Sequence, residues 1–321
     1  MAEAPRDLPE RGPGIPAMSA HRTGAYNPEM DSLLVAWEPS ADVSPGQRTF
    51  RVVRDALLAS LALARRDVRV YMQGAHADDT LIRVDDPVDI VVEGGGASYL
   101  YGFASEVSAA ARAQVEAANA AGSWDYWQFN GEVKEALRAS FPGAVRDGDR
   151  SLRVMHTSLS VMMAQAPAEV TIALPYRHYG GADAWTPGVT FFTRKFDQVV
   201  QFPRLHLERG AAKDRETGGH YHATVRVAKQ LRDYLCDVMA LQRGVAPSYY
   251  LECLLWNVPN ERYTDPSAAA RLHEVIRYLG GAYLPTFEQQ HGVDVLFGDP
   301  ATHWSEDHAR AFIDAAGNWL G

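Results

Sequence analysis

Tyr71-Met72-Gln73-Gly74-Ala75-His76-Ala77-Asp78-Asp79-Thr80-Leu81-Ile82-Arg83-Val84-Asp85-Asp86-Pro87-Val88-Asp89-Ile90-Val91-Val92 is the stretch on which the fold of this chain turns. The β-prone run Val68 to Met72 stops at Gly74, and Pro87 to Val92 is a second such run, closed by the breaker Gly94-Gly95-Gly96. The loop between them is polar, and Asp78, Asp79, Asp85 and Asp86 read as a solvated acidic segment. Asp89 is different. It stands directly before Ile90-Val91-Val92, where a carboxylate is costly to bury unless it is paired or metal-bound, so it reads as a ligand or the remnant of one. The alternative is a plain ion pair with Arg83.

Upstream, the spacing of Phe50, Val53, Leu57, Leu58, Leu61 and Leu63 predicts an amphipathic helix over 47–66. Downstream, helices are expected over 107–120 and 130–138, then strands over 152–155 and 169–174. After Phe202-Pro203 the pattern turns helical, with segments 224–241, 249–255, 267–279 and 305–319. The organisation is α+β: a flexible Pro- and Gly-rich tail over 1–45, an α+β lobe over 46–200 and a helical lobe over 201–321.

At 321 residues the chain can build two lobes with real cores, and 46% hydrophobic with 22% charged residues places it among soluble globular proteins. Cys236 and Cys253 are too few for a disulfide framework or a four-cysteine zinc site. A net charge of -9 argues against broad nucleic-acid binding, while small anionic ligands stay open. No signal-peptide pattern or run of membrane-spanning length is found, so a cytoplasmic protein is expected.

The order and spacing of the opening stretch resemble the signature of DNA polymerase β-type nucleotidyltransferases. The resemblance is nearest to the branch holding bacterial cyclic-oligonucleotide synthases (CD-NTases) and animal oligoadenylate synthases. It continues in Ala168-Glu169-Val170, Tyr176-Arg177-His178-Tyr179-Gly180, Phe202-Pro203-Arg204, Thr224 to Lys229, Pro247 to Pro259 and Leu296-Phe297-Gly298. It therefore implies a nucleotidyltransferase sheet lobe packed on a C-terminal helical lobe. It also implies three carboxylates that hold two Mg²⁺ or Mn²⁺ ions on the nucleotide phosphates. Asp89 and Glu169 stand at two of these catalytic and metal positions. The family's Asp-x-Asp pair reads Pro87-Val88-Asp89 here, and proline offers no ligand. Asp86 is a further candidate, although on a regular strand it would face away from Asp89, so only a bulge would re-aim it. Ala75 replaces the serine that follows Gly74 in the phosphate-binding turn. The resemblance assigns Gly74, Ala75, Lys229 and Ser248 to nucleotide binding; by residue type alone, Lys229 reads as a solvated helix lysine and Ser248 as an N-cap.

The expectation is a catalytically impaired CD-NTase-like protein of bacterial defence or signalling that binds a nucleotide, a small oligonucleotide or a protein partner. Two alternatives stay open: an active metal-dependent nucleotidyltransferase making a linear or cyclic product or modifying a hydroxyl, and a non-binding scaffold. Weaker signals are His220-Tyr221-His222 as metal ligands on a strand and Trp124, Tyr126, Trp127 and Phe129 as a base platform or core. Arg204, His206, Arg209 and Lys213 read as a basic segment, either lining a cleft or in an exposed loop.

Overall fold

A computed structural model of the chain describes residues 28–95, 99–119, 126–155, 166–298 and 303–321. Trp124 and the end of the Gly94-Gly95-Gly96 breaker lie outside them. The expected strands form: β1 is Val68–Gln73, β2 is Val88–Gly94 and β5 is Leu152–Val154. The strand expected over 169–174 is longer, with β6 running Ala168–Tyr179. Four further strands complete the sheet: β3 (Leu100–Phe103), β4 (Val145–Asp147), β7 (Trp185–Phe192) and β8 (Gln198–Gln201).

β6 organises the sheet. Its first half pairs in parallel with β2 and antiparallel with β5, and its second half pairs with β3 and β7, giving a mixed eight-stranded sheet in which β1-β2-β6-β5-β4 is one continuous path. Helices α2 (Ser44–Leu58) and α4 (Tyr126–Ser140) supply Val53, Leu57, Phe129, Val133 and Leu137 to the core formed with Ile90, Val170 and Ile172. Helix α2 ends eight residues short of the expected limit, closed by a bond from the Ser60 N–H to the Leu57 carbonyl, and Leu61 is left 83% exposed. Helix α3 is Ala109–Asn119.

Helices α5 (Pro203–Glu216), α6 (His220–Asp237), α7 (Ser248–Trp256), α8 (Ala268–Gly281) and α9 (Glu306–Leu320) make the second lobe, around Leu231, Leu251, Leu254, Leu272 and Phe312. Helix α5 corrects the exposed-loop option for its basic residues, because His206 and Lys213 are buried. His220, Tyr221 and His222 open helix α6 and do not form a strand.

The end of the expected tail is folded. Helix α1 (Pro28–Ala36) buries Leu34 in the core of the helical lobe, and Trp37 stacks near Trp319 with ring centroids 6.4 Å apart. Just beyond, the Glu38 carboxylate meets the fully buried Arg271 guanidinium, which also donates to Asp265 O at 2.6 Å and Thr224 Oγ1 at 3.0 Å. Among the described residues no helix is long and apolar enough to cross a membrane.

Candidate functional site

Between the lobes lies a cleft of about 560 Å³, and the opening stretch builds one wall of it. After β1 the chain turns at Gly74 with φ +65°, where a side chain would be strained and a Cβ would stand 2.5 Å from Asp89 Oδ2. Glycine therefore lets the turn close over the carboxylate. Alternation along β2 sends Asp89, Val91 and Glu93 to one face, and Glu93 shows which: it accepts from Arg204 on α5 at 3.2 Å, so this face looks at the helical lobe.

Asp89 and Glu169 are register partners on the parallel strands β2 and β6, and both line the cleft. Burial, and then the neighbouring Glu169 charge, push Asp89 up to about 7. Arg83 does not relieve it, since its guanidinium pairs with Asp233 at 2.6 Å. Glu169 has close partners of its own. Its Oε1 accepts from Arg153 Nε at 2.7 Å, with Arg153 Nη2 at 2.6 Å, and its Oε2 accepts from the Ser151 hydroxyl. Strand β2 starts only at Val88, so Pro87 and Asp86 belong to the turn before it and strand alternation does not exclude Asp86, which lines the cleft. Burial raises the Asp86 pKa as well.

Lys229 and Ser248 reach the same cleft. Lys229 is no solvated helix lysine: it is 1% exposed, and its ammonium donates to Thr80 O at 3.1 Å, Thr80 Oγ1 at 2.8 Å and Glu252 Oε1 at 2.5 Å. Those bonds use its three donors, so contact with a phosphate requires it to release one. Ser248 is the first residue of α7 and makes no cap bond; its Oγ instead accepts from Arg232 at 3.3 Å. Arg232 and Arg150 add cations to the wall, and Phe202, Tyr249, Tyr250 and His291 add ring surface. Of the remaining aromatic candidates, Phe129 and Tyr126 are core and Trp127 packs on Tyr126 at 4.9 Å, away from this cleft.

Beneath the cleft floor lies a buried polar group that sequence reasoning placed in solvent. Asp78 is 4% exposed, and its carboxylate stands 3.5 Å from His206 Nε2 and 3.5 Å from His222 Nε2. His206 also meets Glu252 at 3.0 Å. Burial opposes the imidazolium, but the neighbouring Asp78, Cys253 and Glu252 raise the His206 pKa well above its ordinary value. Burial alone would raise Glu252, yet Lys229 and His206 hold it well below the carboxylate range. Asp78, His206 and Glu252 bring ligand atoms within 4.8 Å of one another, as a metal would need. Glu252 pairs with Lys229 at 2.5 Å and with His206 at 3.0 Å, burial raises the Asp78 pKa, and Asp78 Oδ2, His206 Nδ1 and His222 Nε2 have no hydrogen-bond partner among the described residues. The role of this buried group is to join the loop after β1 to α5, α6 and α7. Glu252 had the same signal as Asp89, an acid in an apolar run, and was open to the same argument.

The comparisons agree with this architecture. Residues 208–321 match the cGAS/DncV-like nucleotidyltransferase C-terminal helical domain. The cyclic UMP-AMP synthase of Rhodothermus marinus is 32% identical over 292 residues, covering 89% of this chain and 96% of that protein. A cyclic nucleotide synthase of Staphylococcus haemolyticus is 26% identical over 263 residues, covering 78% and 83%. The solved structure of the Rhodothermus marinus CdnE c-UMP-AMP synthase with Apcpp and Upnpp matches with a TM-score of 0.78 at 31% identity, over 89% of this chain and 94% of that one. With a relative 32% identical over 89% of its length and a helical lobe that matches the family's C-terminal domain, the chain belongs to the family of cGAS/DncV-like nucleotidyltransferases, the CD-NTases.

Proposed function

We propose that this CD-NTase binds a nucleotide or small oligonucleotide in the interlobe cleft and is impaired in nucleotidyl transfer. The carrying observation is Pro87, two positions before Asp89, where a second ligand for the metal pair is required and proline has none to give. A two-ion site needs carboxylate oxygens that bridge both ions, and only Asp89 and Glu169 remain from the three implied positions. Glu169 already has both oxygens engaged. The residues at the three implied positions do not fit a two-ion centre.

Binding is supported by what the cleft retains. The Gly74 turn is intact, Ser248 and Lys229 line the wall, and the rings of Phe202, Tyr249 and Tyr250 offer surface for a base. The related Rhodothermus marinus synthase structure contains Apcpp and Upnpp. A signalling role through the bound ligand or through a protein partner fits this reading.

The test is calorimetry with the four ribonucleoside triphosphates, their monophosphates and cyclic dinucleotides, on wild type and Ser248→Glu. Wild type is expected to bind at least one of them, and the variant, with a carboxylate on the cleft wall, to lose that binding while keeping its melting temperature. Absence of binding by the entire panel removes the proposal and leaves the scaffold. One observation favours an active enzyme instead: Asp86 lines the cleft and its charge acts on Asp89. In that reading Asp86 supplies the missing ligand, and Asp86→Ala abolishes turnover.

A further inference from the structure

Three neighbouring strands set Asp89, Glu169 and Arg153 in a row. Asp89 is the register partner of Glu169 on β2, and Arg153 is its register partner on β5, so one carboxylate lies between another carboxylate and a guanidinium. Two facing carboxylates at one strand spacing repel each other and call for a cation. A divalent ion is one solution; a cation built into the chain is another. Arg153 brings Nε to 2.7 Å and Nη2 to 2.6 Å from Oε1, while Ser151 donates to Oε2. The two Arg153 contacts take up Oε1, and the Ser151 hydroxyl takes one of the two lone pairs of Oε2. Mg²⁺ demands near-octahedral oxygen ligation at short range, so at Glu169 it competes with Arg153 for Oε1 and at the same time does without a ligand at Pro87.

We infer that Arg153, which lines the neighbouring pocket beside Ser151 and Asp147 and reaches Glu169 from behind the cleft, neutralises Glu169 in place of a divalent ion, and that ligand binding in the cleft is independent of Mg²⁺ and Mn²⁺. This rests on the reading of the cleft as a nucleotide site. Strand β5 and its arginine thereby act on the cleft through Glu169. Because the Arg153 side chain is 50% exposed, its hold on Glu169 is moderate, and its removal is expected to change metal affinity by about fivefold.

The experiment is a Mn²⁺ titration followed by electron paramagnetic resonance, with no nucleotide present. Wild type is expected to bind Mn²⁺ no more tightly than roughly millimolar. Arg153→Gln, at an exposed position that keeps the strand, is expected to bind about fivefold more tightly, and adding Glu169→Gln to remove the gain. Wild-type binding at tens of micromolar that disappears in Glu169→Gln overturns the inference, and so does an Arg153→Gln protein with unchanged Mn²⁺ affinity. In a second arm, nucleotide affinity is measured in EDTA and in excess Mg²⁺. Agreement within about twofold supports the inference, and a tenfold or greater loss in EDTA overturns it. If no nucleotide binds, the proposed function fails while the Mn²⁺ arm still decides the role of Arg153.

Discussion

Asp89→Asn should make the protein more stable, and increasingly so as pH rises. The Asp89 carboxyl titrates near 7 in the folded chain against 3.8 for an ordinary aspartate, raised first by burial and then by Glu169. With a raised folded-state pKa, the native state binds more protons than the unfolded state between these two values, so stability falls as pH climbs from about 4 to about 7 and then levels off. The full separation corresponds to about 4 kcal/mol at pH 8 as an upper bound, and relaxation around the cleft reduces it to about 2–4 kcal/mol. Asparagine keeps the shape and never ionises. The gain of the variant in urea unfolding should therefore be near zero at pH 4, about 1 kcal/mol at pH 5 and fully developed by pH 8. Millimolar Mg²⁺ should leave that pH curve unchanged if no ion settles between Asp89 and Glu169. A variant less stable than wild type at pH 8, or a gain that Mg²⁺ abolishes, refutes the reasoning.

The buried Lys229–Glu252 pair should behave asymmetrically. Lys229→Met strands Glu252 beside a single remaining cation and should cost about 3–5 kcal/mol in chemical denaturation, while adding Glu252→Gln should recover a large part of the loss. The Gly74 turn offers a second cycle. Gly74→Ala, with φ +65° and a new Cβ against Asp89, should destabilise by about 1–3 kcal/mol, and less in an Asp89→Ala background where the collision is gone; equal losses in both backgrounds would assign the whole cost to backbone strain.

Much of this architecture was legible because the decisive segments are local. The strand, glycine turn, polar loop and strand around Gly74 and Asp89 announce themselves by composition, and β2 with β6 places Asp89 beside Glu169 as the order of segments implied. Strand β7 was not legible, since Pro187 and Gly188 interrupt it and both residues usually argue against a strand interior. Helix α5 was hidden for another reason. Its buried positions include His206, Gly210 and Lys213, so the apolar stripe that marks a core-facing helix is missing, and only Pro203 at its first turn signals a start. The same cause hid the polar group at the lobe junction: Asp78 looks like one of four loop acids until tertiary packing sets two histidines against it. Arg153 could not be found at all without the β5–β6 register.

The central claim, a retained cleft with impaired transfer, is tested most directly by incubating purified protein with labelled nucleoside triphosphates and Mg²⁺ or Mn²⁺ and resolving the products, alongside an Ala75→Ser/Pro87→Asp variant that restores the phosphate hydroxyl and the missing carboxylate. Each 1.4 kcal/mol of lost transition-state stabilisation is about tenfold in rate, and an absent metal ligand removes several kcal/mol, so wild type should yield no product above background. Detectable product in the restored variant alone is the expected result. Rapid product formation by wild type that disappears in Asp89→Ala would contradict the account and make the chain a working synthase.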